Sequence, residues 1–367
     1  MLSAASFFSV YRSYGQCTSL GQTPSTAFPV CGTTIFKQTT VPICYTRKLV
    51  VPGCNDGAEY GDKNPYWYRF TCFVSGSLAF TITPNDLGDD YDWQLYDITG
   101  RNPDEVFTNP ALVVTGNWSG SSGTTGASAS GVAYIQCASN PAVSTPRFAR
   151  SPNIVAGRTY LLLVSHYTDS QSGYGLSFGG GSAVITDPKE PLMQDVKLSC
   201  GGDQLRLKLN KKMKCSSIAL NGSDIVPFPG GINAVSVNPV GCNSNFETDS
   251  VIITLSQPLP AGNYTLQLKN GSDNNTIVDL CDIPIPASDA LNFQIQILQP
   301  TKLDSLAPVT CAPNEVRFVF KKQIRCSSID PGGSDFVIAG SYPVQITGAR
   351  GNCSADGLTS DIIVSLS

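Results

Sequence analysis

Residues Leu205–Ile225 read LRLKLNKKMKCSSIALNGSDI, and residues Val316–Phe336 read VRFVFKKQIRCSSIDPGGSDF. The second stretch repeats the first after 111 residues, sharing CSSI and GSD. Leu205, Leu207 and Leu209 alternate with Arg206 and Lys208, the period-two pattern of a strand with one buried face. The cysteines repeat in step: Cys200, Cys215 and Cys242 are spaced 15 and 27 apart, and so are Cys311, Cys326 and Cys353. Two spacings that agree to the residue define two copies of one module. A period of this size suits a small sandwich domain and not a solenoid unit.

The repeat also sets an expectation for the end of the chain. VIITLS at 251–256 returns as IIVSLS at 362–367, and in the first copy QPLPAGNYTLQLKNGSDNNTIVDLC follows, ending on Cys281. The counterpart of that segment would fall past Ser367, so the sequence is expected to be a fragment cut inside its third module. An odd total of 13 cysteines agrees with such a cut.

Composition narrows the class. Only 14% of the 367 residues are charged and the net charge is −4, which argues against a basic nucleic-acid surface. Gly, Pro, Ser and Thr are plentiful and long helix-period stretches are lacking, the mark of short strands joined by tight turns. No run approaches the roughly 20 apolar residues of a membrane span. Thirteen cysteines with one histidine and no CxxC pair read as disulfides and not as zinc sites, hence an oxidising compartment. Residues 1–16 carry one arginine and no sustained apolar core, so they read as a signal-peptide remnant or a disordered start.

In chain order, residues 17–185 form the first module. A lead-in marked by Cys17, Cys31, Cys44 and Cys54 precedes the strands WYRFTCFV (67–74), SLAFTIT (77–83), DWQLYDI (92–98), TYLLLVS (159–165) and YGLSF (174–178). Six cysteines there leave 15 pairings open. ITDPKEP (185–191) and QPTKLD (299–304) read as linkers, giving modules at 186–298 and 299–367. The four cysteines of the second module permit three connectivities. The nested one, Cys215 with Cys242 and Cys200 with Cys281, is preferred because an outer bridge staples the module ends. Each such loop contributes roughly 3–5 kcal/mol on the chain-entropy argument. Cys326 with Cys353 repeats the inner bridge and leaves Cys311 unpaired, whereas interleaved pairing leaves Cys326.

Two resemblances follow from these stretches. Pro258-Leu259, Gly262 and Tyr264, with Asp273, Asn275 and Ile277, make the second module similar to S-layer-type bacterial Ig-like domains, from whose common form the cysteines depart. NPYWYRFTCFVSGSLAFTITPNDLGDDYDWQLYDITG and YLLLVSHYTDSQSGYGLSF resemble the jelly-roll-like pre-peptidase C-terminal and CUB-like sandwiches. The combined order resembles exported Bacteroidetes proteins that end in a gliding motility-associated C-terminal domain. These resemblances imply an all-β string of disulfide-stapled sandwiches, exported across the outer membrane, with adhesion or surface-filament roles.

Asp89, Asp90, Asp92 and Asp97 are the densest group of candidate ligands. Alternation puts Asp90 and Asp92 on one face, and with Asp169 and loop carbonyls they offer oxygen ligands for Ca²⁺, which sandwiches of the resembled kind bind. The plainer reading is a solvated strand face over a core anchored by Trp93. His166 lies near Ser165 and Asp169, but strand neighbours point to opposite faces and no GxSxG accompanies them, so a packed histidine is the better reading. Trp118, in the loop NWSGSSG, is the aromatic expected to be exposed for a sugar ring, while Trp67 and Trp93 fit a core. GSD recurs in both repeats and reads as a turn in which a side chain bonds the backbone.

These readings converge on a non-catalytic, secreted or cell-surface protein of adhesin or filament type, with neighbouring modules, cell-surface glycans or proteins as partners, and neither nucleic acid nor membrane insertion. The alternative is a glycan-binding accessory region of a larger secreted hydrolase or peptidase.

Overall fold

The computed structural model describes residues 17–32, 34–44, 47–138, 146–199, 202–296, 301–309 and 311–367. The expected signal remnant, Cys200 and the start of the second linker lie outside these residues. The chain divides into two compact units, Met1–Ile295 and Gln296–Ser367. Both are all-β, and the architecture is a series of disulfide-stapled sandwiches.

In the first module a six-stranded sheet runs in the order Phe28–Pro29, Pro65–Thr71, Thr159–His166, Tyr91–Asp97, Val113–Asn117, Ile135–Gln136. A five-stranded sheet, ordered Phe148–Arg150, Thr125–Ser128, Phe80–Pro84, Ser172–Phe178, Phe36–Thr40, packs on it. Tyr91, Trp93 and Leu95 point between the sheets with Tyr68, Phe80, Ile82, Tyr174 and Leu176. Phe80 meets Trp93 edge to face at 4.7 Å.

The opposite face of the six-stranded sheet is buried too. Trp67, Tyr96, Leu161 and Leu163 lie under Leu49 and Val51 of the lead-in and under Val106 and Leu112. Continuous apolar strands such as TYLLLVS belong to a sheet covered on both sides. The solvated face read for Asp90 and Asp92 is therefore a covered one.

The second module pairs Met193–Leu198, Gln204–Lys214, Glu247–Leu255 and Ala234–Pro239 in one sheet, and Gly262–Gln267 with Ala290–Ile295 in another. The second unit repeats the larger sheet as Ser305–Leu306, Glu315–Arg325, Leu358–Leu366, Ile346–Gly351. Register is kept: Leu205 faces Ile253 and Val316 faces Val364, with the same interruption after Lys208 and after Val319. The GSD turn has one job in both copies. Gly222 and Gly333 sit at φ +78° and +80°, where a side chain is strained, and Asp224 and Asp335 accept the N–H of Ala219 and Asp330 at 2.8 Å.

Five disulfides are present among the described residues. Cys215–Cys242 and Cys326–Cys353 are the inner bridges read from the repeat. The outer bridge is different: Cys281 pairs with Cys31 of the first module and not with Cys200. The reason is the contact between the two modules. Phe28 meets the ring of Phe246 at 4.7 Å and Arg69 meets Glu247 at 2.8 Å, which brings the lead-in to the second module's surface. Cys17–Cys44 and Cys54–Cys137 complete the set. Cys72 is buried and unpaired, its thiol donating to the Val74 carbonyl, and Cys311 is exposed and unpaired.

Candidate binding cleft of the first module

Beside a cleft of about 490 Å³ lined by Pro24, Arg101 and Glu247 among others, two more lie in the first unit. One, of about 370 Å³, sits where the two modules meet. Most of its charged groups are already matched: Arg69 with Glu247, and Lys211 with Asp279 at 2.7 Å and Asp187 at 3.4 Å. The other, of about 590 Å³, belongs to the first module alone and is lined by Lys48, Glu59, Tyr60, Lys63, Asp90, Asp92, Trp118, Ser165 and Tyr167 among others.

Asp92 stands near the start of the Tyr91–Asp97 strand, and Asp90 lies just before it. Asp92 lies opposite Ser165 on the neighbouring strand. The Asp90 backbone is fixed at both ends, its N–H donating to the Thr168 hydroxyl at 2.7 Å and its carbonyl accepting from Tyr167 at 3.0 Å. The side chains are buried, Asp90 to 8% and Asp92 to 7% exposure, and Oδ1 of each has no hydrogen-bond partner among the described residues. Burial pushes the Asp90 carboxyl up to about 6 and the Asp92 carboxyl well above its ordinary range, the second helped by the neighbouring Asp90 charge.

Two of the nearby cations are engaged elsewhere. Arg47 pairs with Asp62 at 3.2 Å. Lys63 pairs with Asp169 at 3.0 Å and donates to the Tyr167 carbonyl. Asp169 is 54% exposed and also accepts from Asn64. It is thus not joined to Asp90 and Asp92 as a third ligand. Among the described residues no three His, Cys, Asp or Glu side chains converge as a metal group. Asp90 and Asp92 offer part of the six to eight oxygens that calcium takes, and loop carbonyls or water would have to supply the rest.

Trp118 corrects the other expectation. It is 3% exposed, stands edge to face on Tyr60 at 5.3 Å, and donates to Gln94 Oε1 at 2.7 Å. Gln94 in turn donates to Tyr96 and Val50. A polar partner reached only through the fold draws the indole in, and so buried it leaves no open platform for a sugar. Tyr60 donates to Asp56 at 2.6 Å, and burial followed by that carboxylate pushes its hydroxyl up to about 12.

His166 is buried and stacked on Tyr91 at 4.3 Å, with Nε2 3.6 Å from Asp89. Desolvation lowers its basicity more than Asp89 restores it. The Ser165 hydroxyl is turned to the carbonyls of Lys63 and Gly61. Asp97, at the far end of its strand, pairs with Arg158 at 2.7 Å. Glu59, Tyr60 and Tyr167 carried no signal in the sequence. They reach the cleft from a lead-in and a loop that only the fold brings beside Asp92.

No family model matches the chain, and no curated protein matches it either. The fold and its bridges define the class: a disulfide-stapled, all-β sandwich protein of the kind made for an oxidising, extracellular setting. No described helix is long and apolar enough to cross a membrane.

Proposed function

We propose that this is a non-catalytic protein of the bacterial surface or exterior, of adhesin or filament type, exported across the outer membrane. In this reading the first-module cleft contacts a glycan or protein on another surface, and the stapled Ig-like modules carry it. The observation that supports it is the pair of buried, unpartnered carboxylates in a cleft of about 590 Å³. A buried charge without a partner is destabilising, and such groups concentrate where a protein meets something else. The engagement of Ser165 with backbone carbonyls and of His166 with Tyr91 favours binding over acyl transfer. The burial of Trp118 weighs against the accessory glycan-binding alternative.

The test is retention of the full chain on panels of immobilised glycans and cell-surface proteins, with Asp92→Asn and Tyr167→Ala beside the parent. Specific retention that both substitutions reduce is the expected result. Retention indifferent to both, or turnover of a substrate by the chain alone, overturns the reading.

A further inference from the structure

We propose that the first-module cleft receives a basic side chain of a partner protein, a lysine ammonium or an arginine guanidinium, held by Asp90 and Asp92. This rests on the cleft being the contact site and names the chemistry it selects.

Asp90 and Asp92 are each more than nine-tenths buried, line the cleft, and each keep a carboxylate oxygen that nothing among the described residues satisfies. Asp90, just before the Tyr91–Asp97 strand, and Asp92 within it are two residues apart in near-extended chain, about 7 Å at their backbones, a span that an ammonium or a planar guanidinium between the carboxylates can bridge. A charge-assisted hydrogen bond is among the stronger polar contacts available. The opposing groups are also suited to a cation. Tyr60, Trp118 and Tyr167 border the cleft, and Lys63 already lies over the Tyr167 ring at 4.9 Å, showing that face in use by an ammonium. Glu59 adds a carboxylate to the lining.

The chain's own cations do not serve. Arg47 and Lys63 are committed to Asp62 and Asp169. Lys48 borders the cleft, is exposed, and makes no ion pair among the described residues, so it is the one internal competitor. A sugar fits less well, since it finds no open aromatic face at Trp118. Burial also holds both carboxyls toward their protonated forms, a bias that a seated cation would reverse.

The experiment titrates the intact chain with Nα-acetyl-lysine methylamide, the arginine analogue and the uncharged norleucine analogue, followed by NMR shifts in low salt. The basic compounds are expected to bind, with norleucine at least about tenfold weaker, a gap of about 1.4 kcal/mol. Asp90→Asn and Asp92→Asn should each weaken the basic compounds by about the same factor with the melting temperature not lowered, and Lys48→Ala should leave binding equal or tighter. Equal binding of norleucine overturns the proposal. So does an absence of binding by both the parent and Lys48→Ala, or calcium bound at Asp90 and Asp92 with the basic compounds excluded. If the basic compounds fail while Asp92→Asn still reduces retention on a surface panel, only the ligand class falls. If both fail, the cleft falls as the contact site.

Discussion

Asp92 shows how one residue can oppose stability. Its carboxyl lies opposite Ser165, whose hydroxyl donates to main-chain carbonyls and leaves the aspartate alone. Asp90, with its carboxyl raised to about 6, and Asp92, raised well above its ordinary range, bind protons more tightly folded than unfolded. Asp62 adds to this, also near 6 because burial outweighs Arg47. For groups raised in this way, the stability they contribute is full below their unfolded values, near pH 4, and is lost as pH rises through 6. The melting temperature of the first unit is therefore expected to fall between pH 5 and pH 7.5. Asp92→Asn should flatten that fall and raise the melting temperature at pH 7.5 by about 2 °C or more, since a neutral amide replaces a buried charge. Calorimetry across this range checks it. A stabilised variant that has lost its ligand is the signature of a residue kept for contact.

Strands that share a sequence pattern need not share an environment. Leu205, Leu207, Leu209 and Met213 of Gln204–Lys214 are fully buried. Their counterparts Val316, Phe318, Phe320 and Ile324 in Glu315–Arg325 are half-exposed. In the second module Leu259, Leu266, Ile277 and Ile285 close the same core. The described residues of the second unit include no such cover. Leu207, 0% exposed, should lose about 2–5 kcal/mol on change to Ala, whereas Phe318→Ala should lose clearly less despite its larger side chain. Hydrogen exchange on the full chain should show the same asymmetry, with Glu315–Arg325 amides exchanging faster than those of Gln204–Lys214. Equal protection would contradict the difference in packing.

At the scale of the molecule, the Cys31–Cys281 bridge spans 250 residues and ties two modules with separate cores into one unit. A crosslink of that span restricts the unfolded chain strongly, and its removal typically costs roughly 2–5 kcal/mol. Non-reducing peptide mapping is expected to recover the Cys31 and Cys281 peptides joined. Cys31→Ser with Cys281→Ser should lower the melting temperature of the first unit. A map joining Cys281 to any other cysteine would remove the bridge. Arg69–Glu247 and the Phe28–Phe246 contact would then be left as the link between the modules.

The all-β class, the repeated sheet, the GSD turn and the inner bridges were legible from the sequence because each is local. Alternation reports which face of a strand is greasy, and a spacing of 27 returns wherever the same hairpin geometry returns. The partner of Cys281, the burial of Trp118 and the enclosure of Asp90 and Asp92 were decided by tertiary structure alone. In each case the deciding atoms come from far along the chain: Phe28 and Cys31 against the second module, Gln94 under the indole, and Glu59, Tyr60 and Lys63 around the aspartates. A period of two residues states that a strand has two faces, and only packing between distant segments determines what covers the second.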